Sequence, residues 1–303
     1  MRPIQSVRLT LLVAIALTAL YLPVSATAGV RIASWNLKHL GWNNGKNLQA
    51  VAQIVGRFDL VAIQEVMDPA AARRLAKIVS QDTGEPWGVT TSQLEGDSSY
   101  RESYAFLWRK SAVAHDSGDS LYLDPGNKFA REPYTASFTT KDNRTELTLG
   151  TVHISYGDGR ADRTAEIRVL DQYWRWMGKT YQGHRLLMGD FNMSPKDRSW
   201  RALDALAVPS ITSGASTLSK TDGQFAHLYD NIWHSKADRL NITARGVLHY
   251  PAILGMSHKT AFATVSDHAP VYIALGNAKV NTAPAKGFKG TQTATATASC
   301  IDI

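Results

Sequence analysis

Arg185-Leu186-Leu187-Met188-Gly189-Asp190-Phe191-Asn192 is an apolar run that stops at a short acidic motif. The approach is strand-like. An extended chain alternates its faces, so Asp190 and Asn192 are expected to project on the same side as Leu186 and Met188. A carboxylate and an amide are thereby delivered together where a buried strand meets solvent. Hard oxygen ligands at such a point suit Mg²⁺, with Mn²⁺ or Ca²⁺ as alternatives, and the phosphates those ions carry. Ser266-Asp267-His268 is a second short acidic motif beside an apolar run, near the end of the folded region.

Working outward, short apolar strands recur at Val30 to Leu37, Leu60 to Gln64, Ala105 to Trp108, Leu147 to Ile154, Asn231 to His234 and Val271 to Leu275. Helical spacing joins Leu48, Val51, Ala52 and Val55, and again Ile167, Leu170, Trp174 and Met177. Asp162, with Ala165 and Glu166 behind it, reads as a helix start, and Ser194-Pro195 as a cap followed by a first-turn proline. Strands and helices interleave, but several strands are joined by turns too short for a purely parallel sheet. The pattern predicts a mixed α/β sandwich with sheets inside and helices outside.

The chain has 303 residues, 44% of them hydrophobic, which is the composition of a globular protein. Residues 1–28 read as a signal peptide. Arg2 and Arg8 precede the apolar run Leu9 to Leu20, and Ala26-Thr27-Ala28 offers a cleavage site before Gly29. The expectation is an exported protein, secreted or periplasmic, with no stable membrane insertion after cleavage, and monomeric. Cys300 is the single cysteine, so internal disulfides and a cysteine-built zinc site are excluded. The formal charge of +7 favours a polyanionic partner such as nucleic acid, anionic lipid or cell-wall polymer. One domain is expected over 29–276. From Asn277 to Ile303 the chain turns rich in Thr, Ala, Lys and Gly, too poor in apolar residues to offset its ordering entropy, and reads as a flexible tail.

Other strand ends carry polar residues that core packing would not choose. Asn36 ends the first strand, and Glu65 ends a near-continuous apolar one. His153 follows Leu147, Leu149 and Thr151 on one strand face; Glu102 precedes the strand Ala105 to Trp108; Asp230 sits in Tyr229-Asp230-Asn231-Ile232. Singly, Glu65 reads as an exposed strand end and His153 as a hydrogen-bonded core histidine. Together they repeat one strand-to-acid arrangement.

Eight motifs in order, WNL at 35–37, QEV at 64–66, SYRESYAFLWR at 99–109, FAREP at 129–133, HISYGD at 153–158, GDFN at 189–192, YDNI at 229–232 and SDHAP at 266–270, resemble the endonuclease/exonuclease/phosphatase superfamily, most of all its deoxyribonuclease I branch. The resemblance covers Val30 to Leu275. It implies a four-layered α/β sandwich, two packed mixed sheets flanked by helices, with the site at one end of the sheets. It further implies Glu65 as principal metal carboxylate beside Asn36, with Asp190, Asn192 and Asp267 facing the phosphate and available to a second ion. His268 with Asp230 is expected to act as base and His153 with Glu102 as acid, Asp190 being a rival base. Arg131 matches a contact to the scissile phosphate and Tyr100 an aromatic lying against the DNA backbone. Two departures stand out. Met67 occupies the place of a groove-entering arginine, and the calcium-binding loop is shortened around Asp124 to Lys128.

The chemistry fits these residue types. Phosphodiester hydrolysis needs an activated water, neutralised phosphoryl charge and a proton for the leaving alkoxide. The leading expectation is a secreted, metal-dependent endonuclease cutting DNA with little sequence preference, with RNA as a second candidate substrate. A phosphodiesterase or phosphatase acting on phospholipid or phosphoinositide keeps the chemistry and changes the substrate. A non-catalytic polyanion-binding scaffold is the third reading.

Overall fold

Every apolar run read as a strand forms one in the computed structural model, which describes residues 29–96 and 100–285. The strands among the described residues are β1 (Arg31–Leu40), β2 (Leu60–Val66), β3 (Trp87–Thr91), β4 (Ser103–Arg109), β5 (Val113–His115), β6 (Ser120–Leu121), β7 (Tyr134–Thr140), β8 (Glu146–His153), β9 (His184–Asp190), β10 (Ala207–Pro209), β11 (Asp230–Ser235), β12 (Ile242–Val247) and β13 (Val271–Leu275). They sort into two sheets, β12-β13-β1-β2-β4-β3 and β10-β11-β9-β8-β7-β5, with β6 pairing on β7. Both are mixed: β1 with β2 and β8 with β9 run parallel, while neighbours such as β1 with β13 and β9 with β11 run antiparallel.

Strand alternation explains the layering. On β9, Leu186 and Met188 enter a core shared with Ile32, Ala62 and Phe106 of the other sheet, whereas Leu187 points outward to Tyr173, Trp174 and Met177. On β1, Ala33 and Trp35 face the opposite way, onto Val51, Val55, Leu75 and Val79. Three apolar cores thus separate four layers, helix, sheet, sheet and helix. Each fully buried Leu or Phe in the middle core contributes roughly 1.5–3 kcal/mol.

Local signals explain most helices. Asn47 caps Leu48–Val55, its carboxamide oxygen accepting from Ala50 N at 3.0 Å. Asp162 sits inside the first turn of Arg160–Ile167 and accepts from Asp158 N and Gly159 N. Two expectations need correction. The spacing from Ile167 to Met177 belongs to two helices, Arg160–Ile167 and Leu170–Thr180, both packed on the outer face of the second sheet. Ser194-Pro195 starts no helix; the next one begins behind Asp197, whose carboxylate accepts from Ser199 N and binds Arg160.

Of the segment read as tail, residues 277–285 lie on the body: Val280 and Ala285 pack against the outer core and Ala285 N donates to Ile253 O at 2.8 Å. The readings of residues 1–28, of 286–303 and of Cys300 concern positions outside the described residues. No helix among the described residues is long and apolar enough to cross a membrane.

Register places the functional residues. His153 pairs with Asp190 across β8 and β9, and Asp190 pairs with Asp230 across β9 and β11. Three titratable side chains therefore stand side by side at one sheet edge. From the other sheet, Gln64 Nε2 donates to Thr151 Oγ1 at 2.8 Å, a polar tie between the sheets just below that edge.

Candidate active site

Two histidines converge on one buried carboxylate. His153 Nδ1 donates to Glu102 Oε1 at 2.7 Å, and His268 Nδ1 donates to Asp230 Oδ2 at 2.8 Å. Their free Nε2 atoms lie 3.7 Å and 3.5 Å from the same oxygen, Asp190 Oδ2. Asn36 Nδ2 donates to Asp190 Oδ2 at 3.1 Å and to Glu65 Oε1 at 2.8 Å, so the first sheet's strand ends join the second's. Each imidazole is fixed in ring orientation by its own carboxylate, which leaves Nε2 for exchange with a substrate.

Backbone strain concentrates here. Six non-glycine residues among those described have positive φ, and Lys38, His39, Glu65 and Asn192 all border the site. Such conformations cost of order 1–3 kcal/mol and persist only where the surroundings over-determine them. At Glu65 (φ 57°) the strand breaks register with β4 and turns the carboxylate inward. Asp190 lies on the Leu186 and Met188 face, as alternation predicts. Asn192 is placed differently: the strand ends at Asp190, and Asn192 is brought back by its own left-handed backbone (φ 50°), with Nδ2 donating to Ile154 O.

Arg131 runs beneath His153. Its Nε lies 3.3 Å from Glu102 Oε1, and Nη2 donates to His153 O at 2.9 Å. Tyr100 Oη donates to Glu102 Oε2 at 3.3 Å. A cavity of about 380 Å³ opens above these groups, lined by Glu65, Tyr100, Arg131, His153, Tyr156, Asp190, Asn192 and His268. Asp267 does not line it. The chain bends at Asp267, and with His268 turned inward the Asp267 carboxylate lies beside Lys38 Nζ, 3.7 Å away. Ser266 ties that loop down by donating from Oγ to Asn36 O.

Charge balance follows from burial. Burial pushes the Asp190 carboxyl up, with Asp230 adding to it and the imidazoles of His268 and His153 opposing. Burial also works against the charged form of each histidine, but the carboxylates outweigh it. Glu102 holds His153 above its ordinary value, and Asp230 with Asp190 holds His268 well above. Glu102 would rise on burial, yet His153 and Arg131 keep it below the carboxylate range.

The donor set fits a hard divalent cation. Glu65 and Asp190 bring carboxylate oxygens together through Asn36, whose Nδ2 donates to both while its Oδ1 accepts from Lys38 N, and Asp230 Oδ1 is buried without a hydrogen-bond partner. Asp190, Asp230 and His268 also lie within 4.8 Å of one another. We read that trio as an oriented histidine, because His268 Nδ1 and Asp230 Oδ2 already satisfy each other.

Reading the sequence missed His39, Trp42 and Tyr156. His39 donates from its backbone N to Glu65 Oε2 at 3.0 Å, and its ring Nε2 lies 3.2 Å from the same oxygen. Only the left-handed turn at Lys38 and His39 brings His39 and Trp42 there, and no spacing signals it. The two departures are also explained. Met67 is buried, and Asp124 spends its carboxylate on the amides of Gly126, Lys128 and Phe129.

A two-sheet α/β sandwich with two carboxylate-held imidazoles and a cluster of hard oxygen donors at one end defines a hydrolase of phosphoester type. The chain belongs to the Endonuclease/Exonuclease/phosphatase family, whose sequence profile matches residues 33–268. It is 44% identical over 261 residues to a protein named deoxyribonuclease from Thioalkalivibrio sp., covering 83% of this chain and 72% of that one. It is 27% identical over 285 residues to human deoxyribonuclease-1, covering 86% and 97%. A solved structure of a functionally unknown conserved protein from Enterococcus faecalis shares the fold, with a TM-score of 0.60 at 18% identity over 82% of this chain and 100% of that one.

Proposed function

We propose that this protein is an exported, metal-dependent endonuclease that hydrolyses phosphodiester bonds of DNA as a monomer. The observation that carries the reading is the convergence of both Nε2 atoms on Asp190 Oδ2, at 3.7 Å and 3.5 Å. The deoxyribonuclease names of its relatives support DNA as the substrate.

Glu65, Asn36 and Asp190 would hold a Mg²⁺ ion, or Mn²⁺ or Ca²⁺ in its place. When bound, the ion supplies charge neutralisation at the phosphoryl oxygens and a position for the water. Arg131, cationic and facing the cavity, contacts the scissile phosphate; Asn192 donates to it, and Tyr100 lies against the backbone.

Both histidines act on protons, and the charge balance favours a division opposite to the one the resemblance implies. His268, held well above its ordinary value by Asp230 and Asp190, suits donation to the leaving alkoxide. His153, held above its ordinary value by Glu102, suits removal of a proton from water. A base must be neutral, so the acid limb of the rate profile follows His153. Glu102→Gln removes the carboxylate that raises His153 and should move that acid limb to lower pH. Asp230→Asn should move the alkaline limb to lower pH through His268. The kcat/KM profile of each variant checks this, and a shifted alkaline limb in Glu102→Gln would restore the opposite roles.

A second experiment tests substrate, metal and export together. The chain recovered outside the cytoplasm, beginning at Gly29, should nick supercoiled plasmid in Mg²⁺ and stop on chelation. Plasmid, RNA and phospholipid are offered side by side with Mg²⁺, Mn²⁺ and Ca²⁺. Preference for lipid would overturn the DNA reading.

A further inference from the structure

Four large hydrophobic side chains are exposed among the described residues, Trp42, Leu123, Tyr156 and Phe262. Three of them gather at the mouth of the site. Tyr156 lines the cavity, and Phe262 lies under Lys38, whose Nζ is 3.3 Å from the ring centroid. Trp42 is 48% exposed and stacks on the His39 ring at 4.2 Å with 28° between planes. Tyr100 stands edge-on to both rings, at 5.9 Å from Trp42 and 5.8 Å from His39. His39 in turn reaches Glu65 Oε2 at 3.2 Å. Contact therefore runs unbroken from the candidate metal carboxylate to a half-exposed indole. The strained backbone at Lys38 and His39, with φ of 45° and 60°, is what folds that stack back over the site.

Resting on the reading of this site as a DNA phosphodiesterase, we propose that Trp42, backed by His39, is a nucleobase platform, and that the preferred substrate is DNA with an unpaired base beside the scissile phosphate. Bases inside a duplex have both faces covered by their neighbours and leave none for an indole. An unpaired base has a free face, and aromatic stacking captures it with little regard to sequence. His39 fills the inner face of Trp42, so the platform is held flat and presents its outer face. The contact of His39 to Glu65 ties the platform to the place where the scissile phosphate would bind.

Two measurements test this. Cleavage of a single-stranded oligodeoxynucleotide and of the same sequence as duplex is compared for wild type, Trp42→Ala and Trp42→Phe. Trp42→Ala should lose about tenfold more on the single strand than on the duplex, mostly in KM, with Trp42→Phe intermediate. Separately, with hydrolysis stopped by chelation, a single strand carrying 2-aminopurine should be quenched on binding wild type and much less on binding Trp42→Ala. Equal losses on both substrates, or equal quenching, would overturn the platform. Failure of wild type to cut either DNA would sink the nuclease reading instead, while the quenching, which needs no turnover, still decides the platform.

Discussion

Asp190→Ala is expected to lower the rate of plasmid nicking by about 10³-fold or more, the scale set by losing an acid–base centre together with its electrostatic support. Asp190 Oδ2 is the one atom on which Asn36 and the imidazoles of His153 and His268 converge. Without it, both histidines lose a carboxylate that raises them, and Asn36 loses one of its two acceptors. The fold should survive. Burial already works against the Asp190 charge, so its removal relieves a desolvation cost, and functional carboxylates of this kind are commonly held at the expense of stability. Thermal melts should show a midpoint equal to or above that of wild type. His153→Ala should give a comparable loss of rate. A wild-type rate in Asp190→Ala would remove the site assignment altogether.

The largest effect on stability is expected one residue earlier on the same strand, from Gly189→Ala. Gly189 has φ 149°, which L side chains rarely adopt, and an added Cβ would stand 1.9 Å from the Val152 carbonyl oxygen. That oxygen belongs to β8, the parallel partner of β9, so relief requires the two strands to part. Loss of about 3 kcal/mol or more follows, because the overlap meets backbone that cannot rotate away. The same movement would separate His153 from Asp190, which face each other one residue further along. Chemical denaturation should show a shifted midpoint, and any folded fraction should be nearly inactive. A variant as stable as wild type would mean that β8 and β9 yield far more readily than their central position implies.

Several parts of this outcome were open to reading. The apolar run ending at Asp190 alternates, and its inward residues do enter the inter-sheet core with Asp190 on their side. The helix at 48–55 was legible from spacing and a cap. β7 and β12 were not, because their Thr, Ser and Arg residues dilute the alternation, and β12 is half-exposed along its length. Ser194-Pro195 misled for a local reason: Asp197 offers a stronger cap three residues on, reinforced by Arg160. Asp267 lies outside the cavity lining although it adjoins His268 in sequence, because the chain bends there and its carboxylate stands beside Lys38.

By itself, the sequence determined which residues could do chemistry, the faces of the main strands and the kind of ion their oxygen atoms would suit. These properties are local, set by side-chain type and by a backbone that alternates every residue. Tertiary structure alone decided that Asn36, Glu65, Glu102, His153, Asp190, Asp230 and His268 meet around one oxygen. It also decided that carboxylates raise both histidines and that His39 and Trp42 fold back over Glu65. Those outcomes depend on register between distant strands, on burial and on four left-handed residues at the site. Each is a property of the packed sheets, and no stretch of chain encodes it alone.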